Sequence, residues 1–239
     1  MLTIARGELI QIFRNRLVLV TALVLPAALS AFFIAKRDLF TEGSTLGYIA
    51  TLALFFVAGI GLYTTSVTTL AARRQNLFLK RLRSTAAGDA GILGGLLLPI
   101  TVLSVVQIAV ILGVLAAVAG GPANPLLLIA AVVSTVVMLL ALGLATAGLT
   151  NSPEHAQVTT LPVSLGVIGV SGWVGLTGTG DLTLLKRLLP GGSATELVLN
   201  AWNGGVPLAD SLVLFAPTLA WVVVAVALAA RLFRWEPRR

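Results

Sequence analysis

The apolar residues of this chain neither alternate nor stripe one face of short helices. They fall into six long blocks, 17–35, 47–70, 91–119, 125–149, 158–178 and 211–230, and none of these contains Asp, Glu, His, Lys or Arg. A bilayer core about 30 Å thick is crossed by roughly 20 helical residues, so each block is long enough to span it. Backbone groups in lipid must be satisfied within the segment, which leaves helices or closed barrels, and barrel strands would show alternating stretches of about ten residues. The pattern predicts an all-α integral membrane protein, a single transmembrane domain over 1–239 with six spans.

The polar stretches between the blocks orient them. An even number of spans puts both termini on one side. The leader 1–16 carries Arg6, Arg14 and Arg16; the 71–90 segment carries Arg73, Arg74, Lys80, Arg81 and Arg83; the tail carries Arg231, Arg234, Arg238 and Arg239. The other side has only Lys36, Arg37, Lys186 and Arg187. Positively charged loops stay inside, so both termini and 71–90 are expected in the cytoplasm. The net charge of +7 thereby becomes a topology signal, and no nucleic-acid partner is expected.

Within the leader, Leu2, Ala5, Leu9, Ile12 and Phe13 fall near helical spacing, with Arg6, Glu8, Gln11 and Arg14 on other faces. That is the pattern of a helix lying in the membrane interface. The apolar run after it is longer than a signal-peptide core and its leader contains Glu8, so span one reads as a retained helix. Gly120 to Asn124 forms a tight turn between spans three and four, and Asn151 or Ser152 can cap span five. The outer stretch 179–210 reads as a re-entrant or short-helix segment. In it, Ser193 followed three residues later by Glu196 has the capping-box pattern.

Composition narrows the chemistry. Only 10% of residues are charged, against about 25% in soluble domains, which argues against a soluble enzyme. There is no Cys, so disulfides and thiolate metal sites are excluded. His155 is the sole histidine and lies at the cytoplasmic end of span five, sixteen residues before Ser171. That is about 24 Å along a helix, too far for a Ser-His dyad within it. No His, Asp and Glu cluster has metal-ligand spacing, so no metal and no bound cofactor are expected on this chain. Spans without ionisable residues lack the usual coupling sites of ion-driven carriers, and there is no phosphate-binding loop. Driving energy for any active transport would therefore enter from another polypeptide. Leu77, Phe78, Lys80, Arg81 and Arg83 can form a short helix with an apolar knob and a basic flank. Docking into a groove on a cytoplasmic partner and simple attachment to lipid headgroups both fit those residues.

The order of elements resembles the permease subunits of the type 2 family of ATP-binding-cassette exporters, over essentially the whole chain. Four features carry the resemblance: a helix before span one; the basic segment Arg73-Arg74-Gln75-Asn76-Leu77-Phe78-Leu79-Lys80-Arg81-Leu82-Arg83-Ser84-Thr85 after span two; the turn from Gly148 to Gln157; and Leu188-Leu189-Pro190-Gly191-Gly192 with a following helix before the last span. The resemblance implies that two permease copies, expected as a homodimer, pair around a path through the membrane. It also implies that Arg73, Arg74, Asn76, Leu77, Phe78, Lys80, Arg81 and Arg83 couple to a separate cytoplasmic ATPase subunit, which would hold the ATP and Mg. The expected location is a bacterial plasma membrane. Two departures stand out: Ala86 where the family often has Pro, and Trp173 to Gly178 in place of a Pro-rich exit from span five.

Inside the spans, Gln107 is the most polar side chain, and Thr64, Thr65, Ser66, Thr68 and Thr69 make one half of span two rich in hydroxyls. Thr65, Thr68 and Gln107 are candidates for a substrate pathway, although Ser, Thr and Gln also bond across packed helices for about 1 kcal/mol. Gly166, Gly169, Gly172 and Gly175 suggest a helix seam in span five, and Pro26, Pro99 and Pro217 suggest bends in spans one, three and six. Uncharged spans suit an amphipathic or hydrophobic cargo such as a drug, lipid or peptide. The competing readings are an ATP-independent channel or carrier, a membrane enzyme, and an anchor that recruits a partner without transporting anything.

Overall fold

A computed structural model describes residues 2–41, 45–85, 88–233 and 235. Arg234, Arg238, Arg239 and Ala86, all used in the sequence reading, lie outside the described residues. Among the described residues there is no strand, and six helices are long and apolar enough to cross a membrane: Arg16–Ala35, Leu46–Gln75, Asp89–Ala119, Pro125–Leu149, Pro153–Thr177 and Leu208–Leu232. The chain is an all-α protein with the architecture of a multi-pass membrane protein. The span ends shift from the predicted blocks by at most five residues, because helices continue into polar positions such as Arg73 and Arg74 that hydropathy alone assigns to loops.

The spans are not equivalent. Of the most apolar window in each, 83% of span two and 61% of span four is buried, against 17–28% in the other four. Spans two and four form the centre. The others ring them and turn Val102, Val106, Val110, Leu161, Leu165, Val223 and similar side chains outward. In water such faces would be unstable, whereas lipid solvates them without cost, so the outward surface reads as the lipid contact.

The central contact is shaped by two departures from α-helical winding. Span one runs as a π-helix over Val20–Val24, just before Pro26, and span two does so over Phe56–Tyr63. The two π segments touch. Gly61 lies so close to span one that a Cβ there would come within 2.8 Å of the Ala22 carbonyl oxygen. Gly59, two residues earlier, faces Val167 and Ile168 of span five instead. Pro99 and Pro162 are accommodated inside spans three and five, and the last span is interrupted at Leu214, three residues before Pro217.

The helix Leu2–Arg14 packs beside span three, burying Ala5, Glu8 and Ile12 while Leu2, Leu9 and Phe13 stay exposed. Its expected amphipathic character is present, but the inward face includes the acid Glu8. Ser152, rather than Asn151, caps span five by accepting a hydrogen bond from His155 N at 3.2 Å. Asn124 caps span four in the same way, from Leu127 N at 3.0 Å.

The outer segment is a re-entrant hairpin of helices Thr183–Leu188 and Gly192–Asn203. Its tip, Gly191, sits against the Phe55 ring and the Val167 carbonyl. Val167 is ten residues before the end of span five, about 15 Å along a helix, so the tip reaches well into the bundle. A Cβ at Gly192 would stand only 1.7 Å from the Lys186 carbonyl oxygen, which explains glycine there. The capping-box expectation is overturned: Gly191 is the N-cap, Ser193 Oγ meets Thr218 Oγ1 at 2.9 Å, and Glu196 turns away to Arg187. Both side chains gain partners on neighbouring elements, which outcompete the local cap.

Candidate functional site

Residues 71–85 define one end of the bundle, the basic end. Span two continues to Gln75, and Leu77, with φ +60°, turns the chain into the short helix Phe78–Arg83. A left-handed leucine is costly, roughly 1 kcal/mol, and three local bonds hold it. Leu77 N donates to Arg74 O at 3.0 Å, Phe78 N to Asn76 Oδ1 at 3.1 Å, and Arg81 Nη2 to Asn76 O at 2.9 Å. Leu79 is fully buried and anchors the helix, while Leu77, Lys80 and Arg81 face outward. Asn76, Leu77, Lys80, Arg81 and Ser84 line a cavity of about 610 Å³ on this exposed side.

The eight residues expected to couple to a partner divide into two groups. Asn76, Leu77, Lys80 and Arg81 share the exposed cavity. Arg83 sits beside it, 3.3 Å from Asp89 and 5.1 Å from the Trp235 ring. Phe78 is half-buried under the Arg73 guanidinium at 5.5 Å. Arg73 and Arg74 are turned into the protein. Arg73 grips Glu8 of the first helix, Nη2 2.8 Å from Oε2 and Nε 2.7 Å from Oε1, and also bonds Gln11. Arg74, 1% exposed, donates to the carbonyl of Thr150 at the end of span four. A cation there satisfies a terminal carbonyl and the negative end of the helix dipole together.

These bonds make the basic end a junction. The first helix is tied to span two by Glu8 and Arg73, and span two to span four by Arg74 and Thr150. Gly148 of span four lies against the backbone of Leu232 at the end of span six. Trp235 reaches Arg83. Both ends of the described chain therefore gather at the basic end, as an even number of spans requires.

The three pathway candidates have different surroundings. Gln107 Nε2 donates to Leu23 O at 2.9 Å, within the π-helical turn of span one. Thr65 is buried in the bundle core. Thr68, whose Oγ1 bonds Thr64 O at 2.8 Å, lines a second cavity of about 820 Å³ at the basic end with Thr69, Arg14, Arg16 and Arg73. That cavity was not legible in the sequence, since its walls come from the first helix and from spans one, two and five. Ser171 bonds its own helix at Ile168 O, and His155 stands exposed at the start of span five. The glycine seam holds only at Gly175, which is pressed against the Tyr48 ring, whereas Gly166, Gly169 and Gly172 face open space.

At the opposite end, Lys186 is buried, with Nζ 2.8 Å from Thr177 Oγ1, 2.6 Å from Gly178 O and 5.0 Å from the Trp173 ring centre. The departure at Trp173 to Gly178 thus forms the seat of the re-entrant hairpin. Arg187 pairs with Glu196 through two bonds of 2.7 and 2.6 Å. Those hydrogen bonds, opposed by partial burial, raise the guanidinium above its ordinary value.

No protein-family profile matches this chain, and no curated protein matches it.

Proposed function

We propose that this chain is the membrane-spanning permease subunit of an ATP-driven exporter, working as a pair of copies with a separate cytoplasmic ATPase subunit that binds ATP and Mg. The observation that carries the reading is the helix Phe78–Arg83, anchored through Leu79 and offering Leu77, Lys80 and Arg81 around an open cavity. A short, rigidly held knob with a cationic flank suits insertion into a groove on a partner. Force applied there reaches the first helix and span four through Arg73 and Arg74, which supports a coupling role. The open glycine face of span five admits close approach of a second copy. An amphipathic or hydrophobic cargo fits the uncharged spans, and a bacterial plasma membrane fits the charge asymmetry.

The test is co-purification from the native membrane followed by reconstitution. Leu77→Glu with Arg81→Glu is expected to release the ATPase and abolish ATP-dependent transport while the protein remains inserted. Full transport by the wild-type chain with no ATPase present would overturn the reading in favour of an ATP-independent channel or carrier.

A further inference from the structure

The second cavity at the basic end goes beyond the transport reading and does not depend on it. Its lining includes Arg14, Asn15, Arg16, Leu17, Thr69 and Arg73. On a continuous helix, residues two apart point to different sides. Here the chain bends at Asn15, the cap between the first helix and span one, whose Oδ1 accepts from Leu17 N and Val18 N at 3.1 and 3.3 Å. That bend brings Arg14 and Arg16 to the same cavity. Arg73 is already matched by Glu8, the only acid in the lining, so two guanidinium groups remain without a carboxylate among the described residues. Such a pair presents planar donors suited to a phosphate.

What lies beside the cations distinguishes the ligand. Leu17 and Val18 extend the wall, and Leu17, Val20 and Val24 continue as an exposed apolar ridge along span one. Free phosphate would use only the cationic part, whereas a lipid would fill both. We infer that this cavity binds the phosphate headgroup of an anionic phospholipid, with its acyl chains laid on the ridge of span one. The ligand ties the first helix to the membrane surface at the point where Glu8 and Arg73 tie it to span two.

The experiment uses the full chain in nanodiscs of mixed phosphatidylglycerol and phosphatidylcholine, then counts lipids retained on release into neutral detergent by native mass spectrometry. The wild type is expected to retain phosphatidylglycerol over phosphatidylcholine by about tenfold or more, given the attraction expected for two basic groups near an anionic leaflet. Arg14→Gln with Arg16→Gln is expected to lose that preference, and Arg14→Lys with Arg16→Lys to keep most of it. Arg6→Gln with Arg231→Gln removes the same charge away from the cavity and is expected to change nothing. Equal loss in that control pair, or an undiminished preference in the Arg14 and Arg16 glutamine variant, would overturn the proposal. Complete displacement of the lipid by millimolar inorganic phosphate would assign the site to a free anion instead.

Discussion

Two segments of this protein share a left-handed leucine and a Lys-Arg pair, set one position later in the second, and bury opposite kinds of side chain. Leu77-Phe78-Leu79-Lys80-Arg81-Leu82-Arg83 and Leu182-Thr183-Leu184-Leu185-Lys186-Arg187-Leu188 each begin at a left-handed leucine and continue as a six-residue helix with a Lys-Arg pair. At the basic end the leucine at position 79 is buried and Lys80 and Arg81 face outward. In the re-entrant hairpin the arrangement is reversed: Leu184, Leu185 and Leu188 are exposed and Lys186 is buried. The surroundings decide. The hairpin offers Lys186 a terminal carbonyl, a hydroxyl and an aromatic face, and offers Arg187 the carboxylate of Glu196, while its leucines can rest in lipid. At the basic end the inward cation sites are filled by Arg73 and Arg74, and Lys80, Arg81 and Arg83 lie on the exposed side.

The comparison extends to the reach of the bonds. Lys186 and Arg187 find partners eight and nine residues away, whereas Arg73 and Arg74 reach across 65 and 76. The two cations of the outer cap are satisfied close by in sequence, while its second helix is tied to distant elements through other groups, Asn203 Nδ2 to Thr45 Oγ1 at 2.8 Å and Ala123 N to Trp202 O at 3.0 Å. At the basic end it is the cations themselves that tie separate parts of the chain together, which is what the proposed coupling role requires.

Gly192→Ala should separate the two regions most strongly. Its Cβ would meet backbone, so the hairpin must open, at a cost of about 3 kcal/mol; unfolding in mixed micelles should show this while a label on Arg81 reports an unchanged basic helix. Lys186→Met, which strips a buried carbonyl of its charged donor, should cost about 2 kcal/mol, against less than about 0.5 kcal/mol for Arg81→Met on the exposed side. Equal losses in thermal melts would erase the contrast. A double-mutant cycle of Glu8→Gln and Arg73→Gln should give a coupling near 1.5 kcal/mol, and a value near zero would mean that the first helix is not tied to span two. The smallest effect is expected from Leu77→Gly and Leu182→Gly. Each should relieve left-handed strain and raise stability by up to about 1 kcal/mol; a loss at position 77 alone would show that its side chain contributes packing beyond the turn.

Much of the architecture was legible because lipid imposes a coarse rule: a helix must be about twenty apolar residues long, and six uncharged blocks satisfy it. The turns at Asn124 and Ser152 were legible for a similar reason, since short polar side chains cap helices locally. The direction of individual side chains was not. The sequence placed Arg73 and Arg74 with Lys80 and Arg81 in one basic run, yet the helix continues through the first two, and their partners Glu8 and Thr150 come from elsewhere in the chain. Ser193 and Glu196 looked like a cap and are committed to Thr218 and Arg187.

The sequence by itself determined the solvent of this protein, the number of its spans and the charge difference between its two ends, because these follow from hydropathy and local charge. Only the tertiary structure decided which spans lie at the centre, where the π-helical turns meet, and which of two similar basic helices faces outward. Those outcomes depend on what each side chain finds across the bundle, at separations that no local pattern records.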